Sequence, residues 1–421
     1  MRKTRNSTLT GVANSSGNSD KWPDGSGMIY LAMSPWDGMW KNRHQLMSRF
    51  AQTMPVIYVE PPIRLKRLRR KNWLSGSTWQ GFSQPKCYQV NSGLHVFKQS
   101  NWLPVSDSKR LASFTKRRWL NALKSSINRA GIEKPILWIT IPEQHFALTE
   151  FKEIFSIYHI VDEYSGYTSD NLGRKKRMRA LEQTVLDDVD LSIVVSPELQ
   201  DSKSAPAREI VLVENGVDIK AYNSVGSNMA APNDTVNIPR PCLGYSGLIG
   251  KRLDLNLMIE LAEAKSDWSL VFVGSVDERD CRRELAHLEK LPNVFFLGEK
   301  PAHEVANYIS SFDIGLLPYS INTETMHISP LKMYEYFAAG IPVVATPIPA
   351  AERYADEIIL RSGSKLFIQG CETALKEEDD SYAKTRRQDL ASKNTWEHRV
   401  NQISDIVMVR IDKKLSSLGQ K

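Results

Sequence analysis

Seven residues at 329–335, Ser-Pro-Leu-Lys-Met-Tyr-Glu, have the types and spacing to hold an anion and a diol side by side. Ser329 suits an N-cap, and Pro330 has the fixed φ of a first helical residue. The pattern LKMYEYFAA continues a helix that Gly340 closes, with Pro342 just beyond. A helix start leaves backbone N–H groups unpaired and carries partial positive charge, so it favours an anion. Lys332 adds a full charge in the first turn. Glu335, three residues on, shares that face one turn deeper, where a carboxylate repels a phosphate but accepts hydrogen bonds from a ribose. Phosphate at the helix start and ribose one turn in would make a grip for a nucleoside diphosphate. Spacing alone equally allows a plain i,i+3 ion pair between Lys332 and Glu335 on a packing helix.

Such a site needs a scaffold, and the chain is long enough for two. At 421 residues it exceeds one core and suits two domains. Short apolar runs alternate with helical patterns, which predicts βαβ units and mainly parallel sheets. The first half offers MIYLAM (28–33), PVIYVE (55–60), ILWITI (136–141), YHIVD (158–162), LSIVVS (191–196) and EIVLVENG (209–216). Residues 221–241 are polar and rich in Asn, Pro and Ser, and read as a linker. The second half offers CLGYSG (242–247), WSLVFVG (268–274), NVFFLG (293–298), FDIGLLPY (312–319), GIPVVAT (340–346) and EIILRS (357–362). An amphipathic helical pattern ends the chain. The expectation is α/β: a disordered leader over 1–27, doubly wound Rossmann-like domains over 28–220 and 242–385, and C-terminal helices over 386–421. Ligands of such sheets bind beyond the carboxyl ends of the strands, here in the cleft between the domains.

Four scattered cysteines with no CxxC pair argue against a disulfide framework or a structural zinc, and for a reducing compartment. The first residues lack the apolar core of a signal peptide, and no window approaches a membrane span. A cytoplasmic protein is expected, or one peripheral on the cytosolic face of the inner membrane. Charge is uneven: residues 1–215 hold 31 Lys/Arg against 20 Asp/Glu, and residues 216–421 hold 24 against 28. The densest basic run, RLKRLRRKNWL from Arg64 to Leu74, interleaves Leu and Trp and would suit an anionic lipid surface. A solvated loop explains it as well. No nucleic-acid module accompanies it, so no nucleic-acid partner is expected.

SPLKMYEYFAAGIPVVAT resembles the donor-site motif of group 1 glycosyltransferases of the GT-B fold, in particular the bacterial branch that builds surface polysaccharides of the teichuronic-acid type. The likeness runs from about residue 28 to 400. SPWDGMWKNRHQLMSRFAQTMPVIYVEPP is similar to that branch's opening, IYHIVDEYSGY to its Tyr-Asp-x-x-Asp-Glu element, and LVENGVD to the end of its first domain. NTWEHRV resembles the Trp-bearing C-terminal helix that in GT-B enzymes crosses back to the first domain.

The resemblance implies two Rossmann-like domains facing across a cleft and a nucleotide-diphosphate sugar as donor. In GYSGLIGKRLD it implies that Gly247 lets backbone approach the diphosphate while Arg252, with Lys251, neutralises it. It places the nucleotide base against Gly298, Glu299, Lys300 and Tyr319. It sets Ser329, Leu331 and Lys332 on the phosphates and Glu335 on the ribose. Where many family members carry a Glu near the donor sugar, this chain has His327, with Glu324 three residues earlier, which leaves a retaining mechanism in question. Inversion would need a base in the first domain. Asp162, after an apolar strand, is the candidate, although a helix cap would explain it too. Asp37 and His145 are rivals, and the family's earlier Asp is His159 here. Trp36, Trp40 and Arg43 would shape the acceptor side, where Trp rings suit sugar faces and equally serve as core anchors.

The Asp-x-Asp at 188–190 imitates a metal motif of another glycosyltransferase fold, but it lies at a helix-to-strand turn, and GT-B enzymes generally need no bridging metal; no cofactor is expected. The expected activity is transfer of a hexosyl or related group to a hydroxyl of a lipid-linked or growing surface glycan. A GT-B nucleotide-sugar epimerase and a non-catalytic nucleotide-sugar-binding protein of an assembly complex are the rivals.

Overall fold

The computed structural model describes residues 22–37, 40–62, 86–99, 109–163, 172–205, 207–223, 232–376 and 380–419. The first half contains β1 (Ser26–Leu31), α1 (Asn42–Phe50), β2 (Val56–Val59), β3 (Lys86–Asn91), β4 (Leu94–Lys98), α2 (Lys109–Arg129) and β5 (Lys134–Ile139). A 3-10 turn (Pro142–Ala147) leads to β6 (Phe155–Ile160), α3 (Leu172–Asp188), β7 (Leu191–Val194), α4 (Pro197–Ser204), β8 (Ile210–Leu212) and α5 (Ile219–Asn223). The second half begins with β9 (Cys242–Ser246), α6 (Leu255–Ala264), β10 (Ser269–Val273), α7 (Arg282–Leu288), β11 (Val294–Gly298), α8 (Val305–Ser310) and β12 (Ile314–Leu317). It ends with α9 (Leu331–Ala339), β13 (Val343–Ala345), α10 (Pro349–Glu352), β14 (Ile358–Leu360), α11 (Ser364–Lys376), α12 (Ser381–Lys393) and α13 (Trp396–Gly419).

Two sheets result, ordered β3-β4-β2-β1-β5-β6-β7-β8 and β11-β10-β9-β12-β13-β14. All pairings are parallel except β3 with β4. The strands read as unbroken apolar runs because helices cover both faces. In β1, Met28 and Tyr30 face α1 and α13, whereas Ile29 and Leu31 face α2 and α3. Strand order reverses beside β1 in one sheet and beside β9 in the other. Crevices therefore open at the carboxyl ends of β1/β5 and β9/β12. The chain has the doubly wound α/β architecture expected of it.

Four local features differ from the expected elements or add to them. Trp22 is buried against Phe50, their ring centroids 6.3 Å apart, and β1 starts at Ser26, so the fold begins before residue 28. The β3–β4 hairpin carries no clear apolar alternation, because its edge strand leaves Tyr88 and Val90 exposed. The linker is not free chain: Asp234 takes an ion pair from Lys300 at 2.6 Å and a hydrogen bond from the Tyr308 hydroxyl at 2.8 Å. The C-terminal helices part company at 394–395. α12 stays on the second domain, where buried Arg387 donates to the Gly340 carbonyl that ends α9, at 3.0 Å. Only α13 crosses over. Its Trp396, Val400, Ile403, Val407 and Ile411 form one helical stripe in the core with Leu46 and Phe50. Each such buried side chain contributes roughly 1.5–3 kcal/mol, which fastens the second domain's last element to the first.

Candidate active site

α9 starts at the carboxyl edge of the second sheet. Its buried face, Met333, Tyr334, Tyr336 and Phe337, fixes its orientation. The Tyr336 hydroxyl accepts from the Ser246 N–H at 3.2 Å and so ties the helix to the end of β9. Pro330, not Ser329, occupies the N-cap position, and no side chain caps the helix. The expected cap therefore fails, and the buried Ser329 hydroxyl has no hydrogen-bond partner among the described residues. Two glycines face this uncapped start. Gly247 has φ +136°, and a Cβ there would lie 2.9 Å from the Lys332 ammonium. Gly274, at the end of β10, has φ +147°, and its Cβ would overlap the Gly247 carbonyl oxygen at 1.9 Å. Bare backbone is thus obligatory where a phosphate would approach.

Lys332 donates to the Tyr319 hydroxyl at 3.1 Å and lies 4.8 Å from the centroid of the Tyr245 ring. Burial would lower its pKa, but the Tyr245 and Tyr319 phenols outweigh that and hold it above the ordinary lysine range. The ion pair that spacing allowed does not form. Glu335 makes no hydrogen bond or ion pair among the described residues, and burial raises its pKa against the pull of Lys332. An unsatisfied carboxylate, half-buried one turn below a helix start, is a hydrogen-bond acceptor awaiting donors.

Both domains line the same cleft, a cavity of about 320 Å³. Arg252 bridges them: its Nε donates to Glu324 at 2.5 Å and its Nη2 to Asp162 at 3.3 Å. Asp162 comes from the loop after β6, with 24% of its side chain exposed. Burial pushes its carboxyl up to about 6, with Arg252 and Lys41 pulling down and Glu324 pushing up. A carboxyl near 6 is still ionised at neutral pH and can accept a proton.

On the first-domain side the loop after β1 and the first turn of α1 enter the cleft through Trp40, Lys41 and Arg43. The loop is anchored by His44, which is fully buried. The Lys41 N–H donates to its Nδ1 at 3.0 Å, so Nε2 carries the proton and meets the Trp36 carbonyl at 3.0 Å. Burial and then Arg43 lower its pKa to about 4, which keeps the ring neutral.

The cleft brings together Asp162, Gly247, Arg252, Lys300, Tyr319, Ser329, Leu331, Lys332 and Glu335, with Trp40 and Arg43 opposite. It leaves out four expected residues. Lys251 points to solvent. Gly298 stays in its strand and accepts from the Gly274 N–H at 2.9 Å. Asp37 is exposed away from the lining. The His327 Nδ1 is directed to the Thr323 carbonyl at 2.9 Å, and the charged position beside Arg252 falls to Glu324 instead. The rival base His145 pairs with Asp188 at 2.6 Å outside the cleft, and His159, at the place of the family's earlier Asp, is buried against Trp138. Asp190 accepts from Ser156 and Lys414, so the Asp-x-Asp run is structural.

Sequence reasoning missed Lys41, Tyr245, Gly274 and Asn215. The Asn215 side chain donates to the Ser329 carbonyl at 2.8 Å and accepts from Asn42 at 3.4 Å, so the first domain holds the loop that precedes α9. Its place in ENGVD was the available signal. Among the described residues no group of three or more His, Cys, Asp or Glu side chains is placed to hold a metal ion. No described helix is long and apolar enough to cross a membrane.

The family described as glycosyl transferases, group 1, matches residues 251–377, the segment that carries Arg252, Glu324, Lys332 and Glu335. The chain is a glycosyltransferase. It is 27% identical over 401 residues to TuaH of Bacillus subtilis (strain 168), a glycosyltransferase assigned to teichuronic acid biosynthesis, covering 89% of this chain and 95% of that one. Among solved structures, the transferase is similar to HepE of Anabaena in complex with UDP and glucose: TM-score 0.63, 13% identity, 90% of this chain and 99% of that one. It is also similar to WaaG, a glycosyltransferase involved in lipopolysaccharide biosynthesis: TM-score 0.58, 13% identity, 90% and 99%. The fold of the transferase is GT-B.

Proposed function

We propose that the transferase moves a sugar from a nucleotide-diphosphate sugar to a hydroxyl of a lipid-linked or growing surface glycan. The observation that carries the donor half is the uncapped start of α9 facing Gly247 and Gly274, with Lys332 in its first turn and Glu335 unpaired below. The diphosphate would take the helix start and Lys332, and the ribose hydroxyls would donate to Glu335. As the sugar–phosphate bond breaks, charge grows on the departing diphosphate, and these fixed positive groups stabilise it without reorganising. Arg252 would add to them by exchanging Asp162 or Glu324 for a phosphate oxygen. That exchange would free Asp162 as the base for the acceptor hydroxyl. Support for a glycan acceptor comes from the likeness to TuaH. The basic run at 64–74, which would bring the enzyme to an anionic membrane surface, lies outside the described residues.

The test is donor binding and slow hydrolysis across a panel of UDP-, GDP- and dTDP-sugars, wild type against Glu335→Ala. Selective binding that weakens by about 10-fold or more in the variant is expected for lost hydrogen bonds to a charged group. Equal binding by both proteins, or no binding by either, would remove the donor reading. Turnover that needs no acceptor would favour an epimerase.

A further inference from the structure

The first-domain side of the cleft holds a charge that the donor does not explain. Arg43 is 6% exposed, lines the cavity and has no carboxylate partner among the described residues. Its Nε donates to the Tyr58 hydroxyl at 3.0 Å, and Tyr58 in turn donates to the Ser34 carbonyl at 2.9 Å. That chain of bonds fixes the plane of the guanidinium. The two terminal nitrogens have no hydrogen bond among the described residues and are not sealed from the cleft. Two residues before it, Lys41 also lines the cavity and also lacks an ion pair among the described residues. Burial, then the neighbouring Arg43, lowers the Lys41 pKa against the pull of Asp162 across the cleft, so the two cations repel each other.

A buried guanidinium without a counter-ion is costly, and holding Tyr58 in place would need only a neutral donor. The donor diphosphate is already met from the opposite side, by the α9 start, Lys332 and Arg252. We propose that Arg43, with Lys41 beside it, forms a second anion site that holds a phosphoryl group of the acceptor; this rests on the transferase reading above. A planar fork with two unused nitrogens matches two phosphate oxygens, and a second cation suits a group of more than one charge. Trp40, 40% exposed on the same stretch, offers an apolar face for the sugar next to that phosphate.

The experiment holds the best-binding nucleoside diphosphate of the panel at saturation. Citronellyl diphosphate, glucose 1-phosphate, glucuronate and octyl glucoside are then titrated calorimetrically into wild type, Arg43→Met and Arg43→Gln. A phosphorylated probe should bind wild type and weaken roughly 10- to 100-fold in both variants, the range for a lost hydrogen bond to a charged group. Nucleotide affinity should stay unchanged. Arg43→Gln keeps an amide for Tyr58, so a folding failure of Arg43→Met leaves the question decidable. Binding of citronellyl diphosphate alone assigns the phosphoryl group to a lipid headgroup, and of glucose 1-phosphate alone to a phosphorylated sugar. The proposal falls if no phosphorylated probe outbinds octyl glucoside, if glucuronate binds as well, or if the variants match wild type. It also falls if nucleotide affinity drops in parallel, since Arg43 would then serve the donor. A protein that binds no nucleoside diphosphate would sink the donor reading instead, and the same titrations without nucleotide would still decide Arg43.

Discussion

The two sides of the cleft are built by opposite means. The second-domain side is made mostly of backbone: a helix start without a cap, two glycines at positive φ, and one lysine held over tyrosine rings. The first-domain side is made of large side chains, Trp40 and Arg43, where a loop fastened by a neutral histidine runs into α1. A diphosphate is the same in every nucleotide sugar, so amide groups and a helix end can hold it whatever the sugar. An acceptor has no such constant part, and its recognition has to be written in side chains. Substitutions should therefore act differently on the two sides.

The largest effect is expected at Gly274. Any side chain there meets the Gly247 carbonyl oxygen, so Gly274→Val should cost about 2–5 kcal/mol by denaturation and abolish nucleotide binding. A stable variant that binds nucleotide would break the picture of a backbone cradle. Asp162→Asn comes next. It should lower kcat by about 10²- to 10⁴-fold with nucleotide affinity retained, because it removes a base and leaves the cradle intact.

The wild-type rate should carry the matching pH signature. The active form of Asp162 is deprotonated and burial raises its pKa to about 6, so activity should fall as pH drops through 6 and level off above it. A limb near 4, or one that persists in Asp162→Asn, would assign the base elsewhere.

Lys332→Met should weaken nucleotide diphosphates by about 10- to 100-fold, with little change for the nucleoside alone, in a calorimetric comparison of the two ligands. If both weaken alike, Lys332 is holding the pocket together through Tyr319 and is not reading the phosphate. The smallest effect is expected for Trp40→Ala. It should raise acceptor KM several-fold and leave donor hydrolysis unchanged, since an exposed ring contributes about 1 kcal/mol of stacking. A fall in donor hydrolysis would erase the contrast between the two sides.

The second-domain side was the more legible because its parts are close in sequence. The helix start, Lys332 and Glu335 lie within seven residues, and helical periodicity alone puts the last two on one face. Even there, sequence named Ser329 as the cap, and it is not one. The helix begins a residue later, and Ser329 is held through its carbonyl by Asn215, 114 residues away. In the sequence Gly274 reads only as the end of a strand. Its importance lies in its distance to Gly247, a contact between neighbouring strands. Lys251 and Arg252 are indistinguishable as a pair of cations, yet only Arg252 turns toward the cleft.

The amino-acid sequence by itself determined the alternation of strands and helices, the division into two parallel sheets, and the helix start with its cation and carboxylate. These follow from periodicity, chain stiffness at Pro and Gly, and burial of apolar runs, all of which act over a few residues. Tertiary structure alone decided that Arg252 meets Asp162 across the cleft, that His327 turns away from it, and that α12 stays on the second domain. Those outcomes depend on which surfaces the two sheets present to each other. No pattern along the chain encodes the distance between residues that only packing brings together.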